Sequence, residues 1–173
     1  PESLALLGTF AKGEVGAPHD VIFDREGRLQ VADTNNSRIA VYDVKGHSGE
    51  LVTEIKGNFS RPEGLALHPN GRLYVTGAAS GNIVALEGGK QVADAGGLSA
   101  PHDIVIAVDG SLIVADSGNN RLLQMDENLN LLKVIEGEPY DFDGPRYMDF
   151  DTQGRLYVGD KYANQIKVLD KDY

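Results

Sequence analysis

Two identical Pro-His-Asp triplets, at Pro18–Asp20 and Pro101–Asp103, carry residue types that bind divalent metal ions. Neutral imidazole together with carboxylate suits Zn²⁺ and similar ions. After a third proline, Pro62, a glutamate takes the place of the histidine. The sequence is therefore consistent with a metal site that has Zn²⁺ or Ca²⁺ as the cofactor, and the alternative is that the histidines only bind backbone groups of their turns. The predicted ligands of the metal are His19, His102, Asp20, Asp103 and Glu63.

These triplets belong to an internal repeat that is marked by four prolines spaced by 44, 39 and 44 residues. The anchoring prolines are Pro18, Pro62, Pro101 and Pro145. Nine residues after each of them, a glycine closes a polar turn, where its freedom to adopt a positive φ is useful. These glycines are Gly27, Gly71, Gly110 and Gly154. A repeat of this length indicates a fold assembled from copies of one supersecondary unit.

Apolar residues alternate after each turn, which is the pattern of a β-strand. Leu stands at offset eleven from every proline and Val at offset thirteen. Asp stands at offset fifteen in three copies, and Arg at offset twenty in two, where we expect them to pair or to bind the turn. Each copy predicts four short antiparallel strands and essentially no helix. The expected fold is all-β, a β-propeller of four blades forming one domain over residues 1–173.

In a propeller the innermost strands all begin at one mouth of the central channel. The residues that follow the prolines should therefore converge there, including Arg146 and Tyr147 in the fourth copy. Asp149 lies within the innermost strand of that copy, where the other copies have apolar residues. A buried carboxylate is costly unless it is paired, so Arg146 or a metal is its expected partner.

The blade sequences resemble NHL repeats. Residues 18–43 (PHDVIFDREGRLQVADTNNSRIAVYD) and 101–126 (PHDIVIAVDGSLIVADSGNNRLLQMD) carry the resemblance over their whole length, and the second and fourth copies are looser. The resemblance implies a propeller, and NHL propellers more often have six blades than four. It does not specify function, because the fold hosts unrelated activities.

The completeness of the ring is open on the sequence alone. The fourth copy ends at Tyr173, just after its third strand, and Leu4–Phe10 reads as the missing fourth strand displaced to the start of the chain. One expectation is a four-bladed ring whose last blade this strand completes. The alternatives are four blades of a larger, six-bladed ring, or self-association of partial rings.

A narrower resemblance concerns the peptidyl-α-hydroxyglycine α-amidating lyases. That family is similar to NHL propellers with a zinc held by three histidines, some of them in Pro-His phrases, which His19 and His102 match. Its Val-x-Asp-x-Tyr phrase matches Val158–Tyr162. The resemblance implies that Tyr162 is a catalytic general base and that the metal polarises the substrate hydroxyl. A third Pro-His phrase is missing, so as a lyase the chain is incomplete.

The sequence is therefore consistent with three functions. The first is a binding or scaffold module for a protein, a peptide or a small molecule, with a metal on its axis. The second is a metal-dependent lyase-like enzyme, or a fragment of one. The third is a hydrolase similar to the gluconolactonase-like propellers, in which Glu63 would be a ligand of the axial metal.

Composition restricts the partners further. The net charge of −10 disfavours nucleic acid as a partner, and no apolar run is long enough for a membrane-spanning helix. The absence of cysteine excludes disulfides and thiolate chemistry. Because the chain starts with Pro1 rather than Met, we expect processing, with an extracytoplasmic location favoured.

Other polar groups are expected to be solvated. His47 and His68 fall in glycine-containing turns and should be exposed. The acidic loop Glu136–Gly144 could bind Ca²⁺ loosely, but it lacks the ligand spacing of an EF-hand loop.

Overall fold

A computed structural model describes residues 4–171 and shows the expected all-β architecture. Fifteen strands and two short 3₁₀ turns cover these residues. The strands are β1 (Pro18–Phe23), β2 (Leu29–Asp33), β3 (Arg38–Lys45), β4 (Ser48–Ile55), β5 (Pro62–Leu67), β6 (Leu73–Gly77), β7 (Asn82–Glu87), β8 (Lys90–Gly96), β9 (Pro101–Ile106), β10 (Leu112–Asp116), β11 (Arg121–Met125), β12 (Leu131–Ile135), β13 (Pro145–Phe150), β14 (Leu156–Asp160) and β15 (Gln165–Leu169). The 3₁₀ turns are Thr34–Asn36 and Ser117–Asn119.

The strands form four antiparallel sheets, each in simple sequential order. Blade 1 contains β1–β4, blade 2 contains β5–β8, blade 3 contains β9–β12, and blade 4 contains the three strands β13–β15. Each innermost strand begins at one of the anchoring prolines, as the repeat predicts. The glycine nine residues later has a positive φ in all four blades, which confirms the predicted turn.

The hydrophobic core lies between neighbouring blades rather than within any one of them. Ala32 and Ile39 of blade 1 pack with Val75 of blade 2, and Leu122 of blade 3 packs with Val158 of blade 4. A similar cluster joins blades 2 and 3. Strand β10 is buried along its whole length because both of its faces are covered.

A recurring buried aspartate fixes the linker that enters blades 1, 3 and 4. Asp33, at the end of β2, accepts a hydrogen bond from Gly16 N–H at 2.7 Å and pairs with Arg38 at 2.7 Å. Asp116, in blade 3, does the same with Ser99 N–H at 2.8 Å and with Arg121 at 2.7 Å. The Asp and Arg columns of the repeat are therefore structural, as we expected.

The predicted fourth strand of the last blade is not observed. Residues 4–10 form no strand, and blade 4 has three strands. Instead, Phe10 lies against Gly49 and 5.6 Å from the Tyr42 ring, so the segment runs beside the outer strands of blade 1. The outer face of blade 4 is uncovered: Ile166 is 66% exposed, whereas the equivalent Ile39 is fully buried. The described residues thus form an open arc of four blades.

Candidate functional site

The first residues of the innermost strands meet at one mouth of the channel, as the repeat predicts. His19, Glu63 and His102 each offer a ligand atom there, and these atoms lie within 4.8 Å of one another. The His19 and His102 rings are 4.5 Å apart between centroids. His102 Nε2 lies 3.2 Å from Glu63 Oε2. We call these three residues the axial cluster.

His102 is the most unusual member of the axial cluster. Its side chain is 3% exposed, and neither ring nitrogen has a hydrogen-bond partner among the described residues, since the approach to Glu63 lacks hydrogen-bond geometry. Buried polar groups are nearly always hydrogen-bonded, so an unpartnered imidazole points to a group that the protein itself does not supply. Burial lowers the pKa of His102 to about 3, helped by the positive charges of Arg146, His19 and Lys161. The ring is therefore neutral at physiological pH.

Aromatic and cationic side chains of blade 4 surround the axial cluster. The Tyr147 ring is 4.9 Å from the His102 ring and 6.1 Å from the His19 ring. Arg146, Tyr147 and Lys161 line one groove at this end of blade 4. No carboxylate oxygen of the described residues lies within 4.0 Å of the charged nitrogens of Arg146 or Lys161. Both cations are thus available to an anionic group.

Asp20 and Asp103, the aspartates of the two Pro-His-Asp triplets, do not lie where a ligand of the predicted metal ion would have to lie. Asp20 accepts hydrogen bonds from the backbone N–H groups of Val21 and Leu65, both at 2.8 Å. Asp103 accepts hydrogen bonds from Ile104 N–H at 2.8 Å and from Met148 N–H at 2.7 Å. Each carboxylate therefore joins its blade to the next one, and neither belongs to the axial cluster.

The environment of Asp103 raises the pKa of its carboxyl group. Burial raises the pKa of Asp103 to about 6, even though its hydrogen bonds from Met148 and Ile104 act in the opposite direction. The negative charges of Asp20 and Asp149 add to the rise. Asp20 and Asp149 therefore each lie close enough to Asp103 to act on it electrostatically.

Asp149 and Tyr162 lie apart from the axial cluster. Asp149 is exposed on the uncovered face of blade 4 and binds only Phe150 N–H, so the expectation of a buried, paired carboxylate is wrong. Tyr162 is 60% exposed, and its hydroxyl accepts a hydrogen bond of 3.3 Å from Lys161. Tyr147, rather than Tyr162, contacts the histidines.

Two other sequence expectations need adjustment. His68 is buried and not exposed. Its ring nitrogens form hydrogen bonds with Gly110 O at 3.0 Å and with Asn70 N–H at 3.1 Å, so it stabilises the turn in which it lies. In the acidic loop, the Lys167 ammonium donates hydrogen bonds to the backbone oxygens of Tyr140 and Asp141. A protein cation thus already binds two backbone oxygens of this loop.

Lys161 was not recognised from the sequence. It stands at offset sixteen from its proline. At the same offset, blades 1 and 3 have Thr34 and Ser117, whose hydroxyls donate hydrogen bonds to the backbone oxygen of the next blade's anchoring proline. Blade 4 places a lysine in this column, and such a departure from the repeat was the available signal.

Comparison with known proteins agrees with this architecture. Residues 98–125 match the NHL repeat, and residues 56–86 match the N-terminal part of strictosidine synthase-like proteins. The chain is a β-propeller arc. Its resemblance to NHL-repeat propellers is confirmed.

Solved propellers superpose on most of the chain. A catalytically inactive virginiamycin B lyase from Staphylococcus aureus, solved with quinupristin, has a TM-score of 0.74 at 15% identity over 90% of this chain and 56% of its own length. Kuenenia stuttgartiensis hydrazine synthase gives 0.69 at 18% identity over 91% and 50%, and the WD40 propeller domain of Doa1 gives 0.71 at 14% over 87% and 50%. The chain spans about half the length of these proteins, and at such identities the likeness establishes the fold alone.

Among residues 4–171, no helix has the length and hydropathy that crossing a membrane requires.

Proposed function

We propose that this propeller arc binds a divalent transition-metal ion through His19, Glu63 and His102, and holds a carboxylate-bearing ligand beside that ion. The observation that carries the proposal is the buried, unpartnered and neutral imidazole of His102, which faces a second imidazole and a carboxylate. A metal ion is the group that satisfies all three at once.

The donor set fits zinc better than calcium. Two imidazoles and one carboxylate are typical of sites where Zn²⁺ keeps a fourth position open, whereas Ca²⁺ is bound by oxygen alone. His102 needs no deprotonation before it binds, because its pKa is already about 3. When bound, the ion would supply Lewis acidity, polarising an oxygen of the ligand.

The surroundings of the axial cluster favour an anionic ligand. In a chain with a net charge of −10, Arg146 and Lys161 stand at the channel mouth without a carboxylate partner among residues 4–171. Arginine in particular matches carboxylate geometry with two parallel hydrogen bonds. The exposed Tyr147 ring offers an apolar surface to the remainder of the ligand.

The test is metal binding by the whole chain. After EDTA treatment and dialysis, we expect about one Zn²⁺ or Co²⁺ per chain by calorimetry, with Co²⁺ showing the visible absorption of a tetrahedral site. His19→Ala and His102→Ala should each weaken binding by at least about 100-fold, since even outer-shell changes cost 10- to 100-fold. His47→Ala is the matched control, because His47 is exposed in a turn of blade 1. Equal affinity in all four proteins would contradict the proposal and leave the binding module without a metal.

A lyase activity is the second candidate function. It is supported by the hydrogen bond between Lys161 and the Tyr162 hydroxyl, because the same ammonium also acts electrostatically on His102 of the axial cluster. In a peptidyl-α-hydroxyglycine lyase-like reaction, Tyr162 would take the proton of the substrate hydroxyl, the C–O bond would become the C=O bond of glyoxylate as the C–N bond breaks, and the proton would pass to the leaving amide nitrogen. The peptide amide and glyoxylate would then form in equal amounts.

This second candidate is decided by a separate measurement. The zinc-loaded chain would be incubated with a peptide ending in α-hydroxyglycine, and glyoxylate release would be followed against Tyr162→Phe. Release that depends on Tyr162 supports the enzyme. Stoichiometric metal binding without glyoxylate leaves the binding module with an axial metal.

A further inference from the structure

A cavity of about 490 Å³ lies between blades 1 and 2, far from the axial cluster. Its rim is formed by the turns that follow β1, β5 and β7, whereas the axial cluster lies where the innermost strands begin. Blade 1 contributes Val41 and Ile55 to its apolar wall, and blade 2 contributes Leu73 and Leu86. Two neighbouring blades of the chain therefore build this cavity between them.

A buried side chain with an unpartnered oxygen lines the cavity. Gln30 is 8% exposed, and its amide nitrogen donates a hydrogen bond of 3.2 Å to Asp24 Oδ2. This bond fixes the orientation of the amide group, because a carboxylate can only accept. The other amide atom, Gln30 Oε1, is buried and has no hydrogen-bond partner among the described residues. Since a buried acceptor is costly to leave unsatisfied, this oxygen indicates an N–H or O–H group from outside the chain.

The next two blades fill the same repeat column differently. Gln30 stands at offset twelve, where blade 2 has Tyr74 and blade 3 has Ile113. Tyr74 is fully buried, and its hydroxyl donates a hydrogen bond of 2.7 Å to Glu127 O of blade 3. Ile113 is fully buried in the cluster between blades 3 and 4. Gln30 is thus the departure from the repeat, because it directs an acceptor into a cavity where its counterparts close the interface.

The rim of the cavity carries two cations that no carboxylate of the chain neutralises. Arg25 of blade 1 and Lys90 of blade 2 line the cavity, and no carboxylate oxygen of residues 4–171 lies within 4.0 Å of their charged nitrogens. The Arg25 guanidinium donates a hydrogen bond to Pro69 O, which holds it across the interface. All three acidic side chains that line the cavity already pair with other basic residues. The rim is therefore suited to an anionic group.

We propose that this cavity binds a small organic acid that carries an amide N–H and an apolar group. The N–H would donate to Gln30 Oε1, and the apolar group would contact Leu73 and Leu86. The carboxylate would bind Arg25 and Lys90, and arginine matches carboxylate geometry with two parallel hydrogen bonds. The volume is suitable, because small-molecule sites measure about 300–1,000 Å³. This site needs no metal and is independent of the axial cluster.

The first test is a titration with N-acetyl-leucine, which combines an amide N–H, an apolar side chain and a carboxylate. Added to the whole chain in EDTA, it should shift the NMR signals of the Gln30 side-chain amide and of the Gly88 and Gly89 N–H groups, which line the cavity. We expect a Kd on the order of 1 mM for a ligand of this size. The methyl ester of N-acetyl-leucine, which lacks the charge, should bind at least about 10-fold more weakly.

Two results of this titration would overturn the proposal. If N-acetyl-leucine shifts none of these signals, water alone occupies the cavity. If the ester binds as tightly as the acid, the cations of the rim do not recognise a carboxylate. Because EDTA is present throughout, neither result depends on whether the axial cluster binds a metal.

The second test changes the residues of the cavity. Gln30→Met removes the acceptor at similar volume, and Gln30→Tyr fills the space with the residue that blade 2 has at this offset. Both should weaken binding of N-acetyl-leucine by at least about 10-fold, with Gln153→Met as the control because Gln153 is exposed in a turn of blade 4. The NMR spectrum of each variant shows whether it is folded. Full affinity in both folded Gln30 variants would overturn the proposal.

A variant of the exposed rim tests the carboxylate without disturbing the core. Lys90→Gln should weaken binding of the acid and leave binding of the ester unchanged. Lys12→Gln is its control, because Lys12 is also exposed and does not line the cavity. Equal affinity for the acid in both lysine variants would contradict the role of Lys90.

Discussion

The carboxylate of Asp103 accepts a hydrogen bond from the backbone N–H of Met148 at 2.7 Å, across the boundary between blades 3 and 4. Asp20 makes the same bond to Leu65 N–H at 2.8 Å, between blades 1 and 2. Each of these aspartates directly follows a histidine of the axial cluster. The Pro-His-Asp triplet therefore combines two roles: its histidine faces the channel, and its aspartate holds the next blade in place.

Replacing Asp103 with Asn should change how stability depends on pH. Burial raises the pKa of Asp103 to about 6, whereas an unfolded Asp has a pKa near 3.9. The folded state therefore binds this proton more tightly, and the stabilisation is complete below about pH 4 and is lost as the pH rises through 6. Between pH 4 and pH 7, the free energy of unfolding of the wild type should fall by roughly 2–3 kcal/mol relative to Asp103→Asn. Urea denaturation in EDTA at a series of pH values measures this.

The control for this experiment is Asp170→Asn, because Asp170 is exposed and its carboxylate accepts a hydrogen bond from the Lys171 N–H. His102 contributes with the opposite sign: its lowered pKa makes stability fall as the pH drops from about 6.5 towards 3. That contribution is common to both proteins and cancels in the difference. If wild type and Asp103→Asn change in parallel with pH, the raised pKa is wrong.

Asp116→Ala should be among the most destabilising substitutions in the chain. Asp116 is fully buried, and its oxygens accept hydrogen bonds from Ser99 N–H, Asn119 and Arg121 at 2.7–2.8 Å. Because Arg121 is 26% exposed and can be hydrated, the main loss is the unsatisfied Ser99 N–H and the broken hydrogen bonds, which costs about 1–3 kcal/mol. Thermal unfolding should show the loss, whereas the exposed Asp170→Ala should stay within about 0.5 kcal/mol of the wild type. A similar result for both variants would mean that the linker is held by other contacts.

The repeat made most of the fold predictable. Leu at offset eleven and Val at offset thirteen indicate a strand because every blade repeats this pair. In blade 3 the pair is Leu112 and Val114, and both residues are fully buried, as the pattern requires. The fourth strand predicted at Leu4–Phe10 does not form among the described residues, because a strand needs an adjacent edge, and the edge of β15 lies at the other end of the arc. Sequence columns specify which faces pack, but the angle between blades depends on side-chain packing across the whole interface.

The candidate site was also predictable in part from the repeat. Equal offsets from the prolines brought His19, Glu63 and His102 together, as expected. The role of Asp103 was not predictable, because a carboxylate can bind either a metal or a backbone N–H, and only the position of the neighbouring blade decides between them. Lys161 was missed because a lysine in a polar turn is usually solvated.

Two residues of one repeat column should respond differently to the same substitution. Leu122 is fully buried against blade 4, so Leu122→Ala should lower the free energy of unfolding by about 2–5 kcal/mol. Ile166 is 66% exposed, so Ile166→Ala should change it by less than about 0.5 kcal/mol. Chemical denaturation of both variants makes the comparison. Equal losses would show that blade 4 is covered within a single chain.

Gly64→Ala should disturb stability and metal binding together. Gly64 faces the innermost strand of blade 3, where an added Cβ would lie 2.8 Å from His102 O and 2.9 Å from the Asp103 Cα. Both are backbone atoms, so the strand that carries His102 must move away from Glu63. We expect a loss of roughly 1–3 kcal/mol in the free energy of unfolding and a weaker Zn²⁺ affinity, measured by denaturation and calorimetry.

Gly96→Ala is the matched control for this prediction, because it lies in an outer strand of blade 2 with no atom within 4 Å of an added Cβ. Where the backbone conformation allows a side chain, a glycine-to-alanine change stabilises a protein by about 0.4–1 kcal/mol. Gly96→Ala should therefore leave Zn²⁺ affinity unchanged and stability unchanged or slightly higher. If Gly64→Ala behaved like this control, the close approach of blades 2 and 3 would not be what orients His102 towards Glu63. Gly64→Ala could also lose stability but keep full Zn²⁺ affinity. In that case the axial cluster would tolerate a shift of the His102 imidazole. The 3.2 Å distance between His102 and Glu63 would then depend less on the packing of the blades than we infer.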